Sequence, residues 1–193
     1  MIGVAFFAGV SAAAPNMRKT ADVYYDEYHY MDIQLISSIG FREEDLEVLR
    51  EIEGIEGVYG LHSLDVLASK GKGEKRFVAS LNSIPLDLSG ENTDYLNRLR
   101  LKEGRLPASP GECVIRVTSS GDAASIGDTL YLSSGEDSPL SDTLSFSELT
   151  VVGLTYTPAS ISFDLGSSDI GNGSVSMLVY LPEAAFTQDY YTQ

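Results

Sequence analysis

The sequence predicts an α+β fold: a ferredoxin-like split βαβ lobe, then a mostly antiparallel, β-rich lobe. Three observations carry this expectation. Residues 42–53 have helical periodicity and an acidic first turn, and they stand between segments with strand alternation. A polar, glycine-bearing turn, Lys70 to Lys75, separates two β runs in the manner of a hairpin. From Glu112 onward short β runs alternate with glycine and serine turns, a pattern that closes into a small sandwich or barrel.

Each element follows from its residues. Ile2 to Ala14 is apolar or small throughout. As a helix of this length it spans roughly 20 Å, short of a ~30 Å hydrocarbon core. No basic residues precede it, as a signal peptide would require, and no cysteine follows it for lipoprotein processing. A core helix, a degraded signal peptide and the outer end of a membrane helix all remain open. Asn16 to Tyr30 reads as helical, with Tyr24, Tyr25 and Tyr28 at one-turn spacing. Tyrosine bands occur at membrane interfaces and also cover ordinary cores. Asp32 to Ser38 alternates as a strand with Ile33 and Leu35 on one face, and Gly40 breaks it.

Arg42 to Glu53 is the clearest helix. Glu43, Glu44 and Asp45 sit where the helix dipole favours anions, Leu46, Leu49 and Ile52 recur at core-facing spacing, and Gly54 stops it. The hairpin follows, from Val58 to Ser69 and from Arg76 to Ile84. Strand, helix, strand, strand opens a split βαβ arrangement, in which the helix covers one sheet face. Thr93 to Leu101 reads as a short helix with Tyr95, Leu96 and Leu99 inward. The later β runs are Cys113 to Val117, Thr129 to Leu132, Leu144 to Tyr156 and Ser174 to Leu181. A helical turn starts at Pro182.

Composition removes several classes. The chain has 193 residues and a net charge of -15, so it has little with which to hold a phosphate backbone, and nucleic acid is not an expected partner. Apart from the short Ile2 to Ala14 run there is no long apolar stretch, and so no complete membrane span. The single cysteine, Cys113, excludes a disulfide framework. The charge is uneven: from Val117 to Gln193 there are ten acidic residues and no Lys or Arg. This places a lobe boundary between residues 100 and 117. The acidity has a plain account as a solvated surface. The sharper one is a field that holds the lobe off an anionic bilayer and steers a cationic partner, with Glu136, Asp137 and Asp142 as its test residues.

Chemistry-bearing motifs are absent. Lys70 to Lys75 lacks the Gly-Lys-Ser/Thr ending of a phosphate loop, and no Gly-x-Ser-x-Gly elbow is present. His29 lies near Asp26 and Glu27, and His62 near Asp65, but lone histidines of this kind are ordinary core or surface residues. Glu136 to Asp142 lacks calcium-loop spacing. Cys113, beside Val114 and Ile115, reads as an inert buried thiol. Asn172 is a formal glycosylation acceptor and no more. We assign no catalytic residue, no metal ligand and no cofactor; ligand-binding residues are unassigned.

A resemblance adds what pattern does not. Met31-Asp32-Ile33, then Arg42 to Asp45 opening a helix, then Ile55-Glu56-Gly57-Val58 resembles the start of the extracytoplasmic domain of FtsX-like ABC-transporter permeases. Glu103-Gly104-Arg105 followed by Pro110 to Ile115 is similar to that family's "G-R, then G-E-x-x-I/V" segment. Ile126 to Leu130 resembles its "x-G-D-x-L" lead-in, and Thr150 to Leu154 its "x-V-V-G-x" strand. Val179 to Pro182 with Phe186 resembles its "x-V-x-x-P" exit. The ordered set spans residues 20 to 187. Arg42 departs from the helix-capping Thr or Ser of many relatives.

The resemblance implies a MacB-like periplasmic core domain, with the β-rich lobe inserted into the α/β lobe. The implied organisation is a truncated outer end of a transmembrane helix at 1–19, an α/β lobe at 20–102, a β-rich lobe at 103–182, and the start of a return segment at 183–193. The implied protein is a piece of a larger permease in the cell membrane, with this domain on the extracytoplasmic side. Its implied partners are a cytoplasmic ABC ATPase subunit, a second permease copy, and an extracellular protein or peptide ligand. The competing class is a free secreted or surface-anchored binding module, with an enzyme third.

Overall fold

The computed structural model describes residues 2–117, 124–135, 138–160 and 164–193, and for residues 2–10 and 12 the backbone alone. It is a mixed α+β fold with two α-helices and one large sheet among the described residues. Helix α1 runs from Ile2 to Glu27, so the apolar stretch and the tyrosine stretch form one helix about 40 Å long. Pro15 lies inside it, where its missing N–H removes a backbone bond. Residues 13–20 are exposed on all sides, so this part is not a core helix of the domain. Among the described residues, no helix is long and apolar enough to cross a membrane.

The strands are β1 (Ser63–Ser69), β2 (Phe77–Ile84), β3 (Arg100–Gly104), β4 (Glu112–Arg116), β5 (Thr129–Ser133), β6 (Glu148–Tyr156) and β7 (Val175–Pro182). They lie in the order β3-β6-β4-β7-β2-β1-β5, and β5 also pairs with β6. That last pairing closes a ring. β5 matches Leu67 to Ser133 on its β1 side, and Leu130 to Leu149 on its β6 side. Six strands thus form a barrel, while β3 continues outward along the C-terminal half of β6, with Gly104 opposite Gly153. β2–β7 and β4–β6 are parallel; the other pairs are antiparallel.

Strand alternation explains the packing. Val66 and Ala68, Ala79 and Leu81, Cys113 and Ile115, Leu130 and Leu132, Leu149 and Val151, and Met177, Val179 and Leu181 all belong to one buried cluster, the barrel interior. Leu144, Ala185 and Phe186 join it from 3-10 turns at Leu140–Asp142 and Glu183–Ala185 and the bridge between Leu144 and Phe186. The intervening residues Val78, Val114, Leu178 and Tyr180 form a second cluster with Leu99 and Ile170, partly covered by Leu88, Leu106 and Leu165. The central strands are therefore buried on both faces, which is why β4 and β7 read as nearly continuous apolar runs.

Several expectations need correction. Asp32 to Ser38 is not a strand; it is irregular chain with Ser37 N–H donating to Thr192 O at 3.2 Å. Without that strand among the described residues, the α+β class holds but the ferredoxin-like split βαβ unit is not confirmed. The helix that follows, α2, spans Glu43–Arg50 and ends three residues early; Leu46 is its one buried side chain, Leu49 is half-buried and Ile52 exposed. Arg42 serves as its N-cap through the backbone, its N–H donating to Asp45 Oδ2 at 2.8 Å. Thr93 to Leu101 is irregular chain leading into β3. Tyr95 and Leu99 are buried as expected, but Asn97 has φ +51°, which a right-handed helix does not allow. The sheet takes strands from both sides of the expected 102/103 boundary, so separate sheets for the two lobes are not seen.

Candidate functional site: the helix latch and the adjoining cleft

The end of α1 is held by backbone bonds rather than by side-chain packing alone. Arg98 N–H donates to Tyr28 O and Asn97 N–H to His29 O, both at 2.8 Å, and Met31 N–H donates to Asn97 Oδ1 at 3.2 Å. His29 (φ +46°) and Asn97 are the non-glycine residues with positive φ among the described residues. Both lie in this latch, where the contacts hold a backbone conformation that costs of order 1–3 kcal/mol. Tyr24, Tyr25 and Tyr28 are half-buried; Tyr24 and Tyr28 lie 4.9 Å apart, and Tyr25 and Tyr30 4.8 Å. Burial raises the Tyr24 pKa, with the charge of Arg100 opposing. The tyrosine stripe thus faces the start of β3.

Arg98 anchors the latch inward. Its guanidinium donates to the carbonyls of Tyr95, Gly90 and Asn92 at 3.2, 3.0 and 2.9 Å. The same loop meets α2, since Asp94 lies 3.6 Å from Arg50 and accepts the Val58 N–H at 2.9 Å. Between α2, this loop and the end of β7 lies a cleft of about 260 Å3, lined in part by Glu43, Arg50, Tyr59, Asp87, Glu183 and Tyr191. Arg50 holds Glu43 at 2.7 Å, which lowers that carboxyl's pKa, and Tyr191 donates to it at 3.1 Å. Burial, and secondarily the charge of Glu43, raises the pKa of Glu183. Glu43, Arg50, Asp94 and Tyr191 are thus tied into one network.

The C-terminal segment closes the same side. Phe41 and Tyr191 exchange backbone bonds of 2.7 and 2.8 Å, Leu61 N–H donates to Gln193 O at 2.8 Å, and Ser37 N–H to Thr192 O at 3.2 Å. Residues 191–193 therefore lie between the segment after α1 and the entry to β1. His62 sits beneath them, buried, its ring stacked on Phe186 at 5.1 Å and against Tyr191 at 4.7 Å. Its Nδ1 has no hydrogen-bond partner among the described residues. Burial lowers the imidazole pKa from 6.5, opposed by a bond to the Tyr190 backbone. Well above pH 6.5 both states are neutral and His62 contributes nothing. As pH falls below 6.5 the unfolded chain takes up a proton that the folded one refuses, so stability falls, by at most about 1.4 kcal/mol per pH unit. Melting curves from pH 7.5 to 5 should show this loss, and His62→Phe should reduce it; an unchanged slope would remove His62 as the cause.

The other sequence candidates lie apart. Cys113 is fully buried in the barrel, its thiol pushed up to about 12 by burial. The Lys70 to Lys75 turn is solvated, with Lys72 Nζ 3.4 Å from Glu148 and 5.3 Å from the Tyr131 ring centroid. Asn172 is exposed in a turn before β7. Glu136 and Asp137 lie outside the described residues, and Asp142 ends a 3-10 turn. No group of three His, Cys, Asp or Glu able to hold a metal occurs among the described residues. The latch itself carried no advance signal beyond the tyrosine spacing, because backbone bonds from residues 97 and 98 leave no side-chain pattern.

The motif residues do converge. Arg105 grips Glu112 through two bonds of 2.7 and 2.5 Å, and Glu112 also accepts the Ala108 N–H at 2.9 Å. The Arg105 bonds hold the Glu112 carboxyl down at about 2. Gly104 has φ +81°, and a Cβ on it would collide with the Val152 carbonyl. Gly127 (φ +95°) turns the chain into β5, with Asp128 Oδ2 accepting the Ser125 N–H at 2.8 Å.

No family model matches the sequence. No curated protein matches it. Among solved structures, the chain is similar to the periplasmic region of MacB from Actinobacillus actinomycetemcomitans, with 17% identity and a TM-score of 0.40 over 77% of this chain and 56% of that one. It is also similar to the extracellular domain of the noncanonic ABC-type transporter YknZ from Gram-positive bacteria, with 14% identity and a TM-score of 0.48 over 84% of this chain and 77% of that one.

Proposed function

We propose that this chain is a non-catalytic extracytoplasmic domain of an FtsX/MacB-like ABC-transporter permease. In this reading it couples the movement of a membrane helix, driven by a cytoplasmic ATPase, to handling of an extracellular protein or peptide. The carrying observation is the latch: a single helix, apolar in its first half, is followed directly by Tyr28 and His29, whose carbonyls accept backbone bonds from the loop that enters β3. A body joined to a helix in this way follows the helix as a lever. The contact between Arg105 and Glu112 and the crowding at Gly104 give the motif resemblance a physical basis, since those residue types are needed there.

The test uses the full-length protein from its native membrane. The expected result is an uncleaved N-terminus and co-purification with an ATPase subunit. A processed signal peptide and no ATPase would favour the free binding module instead. The isolated chain should neither bind nor hydrolyse ATP. Millimolar ATP should leave its melting temperature unchanged, whereas a reproducible rise, required of any native-state ligand, would refute this.

A further inference from the structure

We infer that the outer edge of β3 is a docking site for an extended, acidic segment of a partner protein. β3 ends the strand order and pairs with β6 alone. Among the described residues, 100–104 make no main-chain to main-chain hydrogen bond outside that ladder, and all five are exposed. Both ends of the strand are pinned, by Arg98 N–H on Tyr28 O at 2.8 Å and by Arg105 N–H on Val152 O at 3.1 Å. The outward main-chain groups are therefore held extended and ready for strand addition.

Charge selects the occupant. In a chain of net charge -15, Arg98, Arg100, Lys102 and Arg105 fall within eight residues, with Glu103 the one acid among them. Arg105 is committed to Glu112, and Arg98 to three carbonyls. Arg100 lies over the Tyr156 ring at 5.8 Å and Lys102 is exposed; neither forms an ion pair among the described residues. Lysine on a bare edge is also the ordinary guard against strand pairing. Here that guard discriminates. Antiparallel self-pairing centred on Lys102 sets Lys102 against itself, and centred on Leu101 it sets Arg100 against Lys102, so a second copy is repelled. Carboxylates at the same places are attracted, and an aliphatic residue between them meets Leu101, which is 40% exposed. An anionic bilayer would engage the same cations but leave the main-chain edge unpaired, so a peptide fits better. The register shift between Leu101 and Glu103 limits pairing to a few residues, which makes binding weak, with a dissociation constant of about 1 mM.

The experiment uses the 193-residue chain and a blocked hexapeptide of alternating Glu and Val. At about 10 mM peptide roughly one chain in eleven is free, so exchange of the outward amides within residues 100–104 should slow by about tenfold. Attraction between charges alone would not protect those amides. Two control peptides on the unaltered chain should fail to protect: one with Lys for each Glu, and one with Pro for each Val, which lacks the donors of a ladder. The double variant Arg100→Gln/Lys102→Glu, at exposed positions, should abolish protection while moving the melting temperature by no more than about 2 °C. No slowing in β3, equal slowing with either control peptide, or slowing that survives the double variant would each overturn the proposal. Binding to phosphatidylglycerol vesicles that the double variant abolishes, without peptide protection, would assign the basic run to lipid and overturn it as well. None of these outcomes bears on the transporter reading.

Discussion

Leu81→Ala and Leu130→Ala should each destabilise the whole chain in one cooperative transition. Both side chains are fully buried in the barrel interior, one on each side of the boundary expected from composition. Removing either loses about 2–5 kcal/mol through lost transfer energy and the cavity left behind. For a chain of this length that lowers the melting temperature by roughly 4–20 °C. The informative part is cooperativity: far-ultraviolet and tyrosine signals should fall together in both variants. Two separated transitions, each sensitive to one substitution, would restore independent lobes.

Gly153→Val should detach β3. A Cβ on Gly153 would collide with the Arg105 carbonyl and lie 3.1 Å from the Glu103 carbonyl, in strands that cannot separate without losing their ladder. The overpacking costs about 1–3 kcal/mol. Its reach exceeds that figure, because β3 carries the 97–98 latch at its start. Hydrogen exchange should quicken at residues 97–104 and at 28–31, while the β1–β2 hairpin stays protected. If exchange at 28–31 is unaltered, the latch does not depend on β3.

The legible parts of this fold were those set by local chemistry. The hairpin announced itself because Lys70 to Lys75 is a polar turn between alternating runs, and β4 to β7 because short apolar runs sit between glycine turns. What pattern could not supply was partnership. β5 closes the barrel by pairing with β1, a strand some sixty residues earlier, and nothing in Thr129 to Ser133 names that neighbour. Asp32 to Ser38 has strand alternation without a strand, because alternation records which faces differ and not whether an edge is available. Tyr95 and Leu99 pointed inward as their spacing required, yet the helix inferred from them is absent, since Asn97 turns left-handed to bond with α1. The latch was invisible for the same reason: it is made of main-chain groups, which every residue carries.

The central claim is that α1 and the barrel move as one body. It is tested by spin labels at Val23→Cys on α1 and Lys75→Cys on the β1–β2 turn, in the proposed permease with the ATPase proposed to drive it. Cys113 is buried and its thiol is held protonated, so it does not compete for label. The account predicts one narrow distance distribution that is the same without nucleotide, with ATP and after hydrolysis, while the distance from Lys75→Cys to the membrane surface changes. A Val23–Lys75 distance that shifts with nucleotide, while the barrel stays still against the membrane, would place a hinge at residues 28–31 and contradict it.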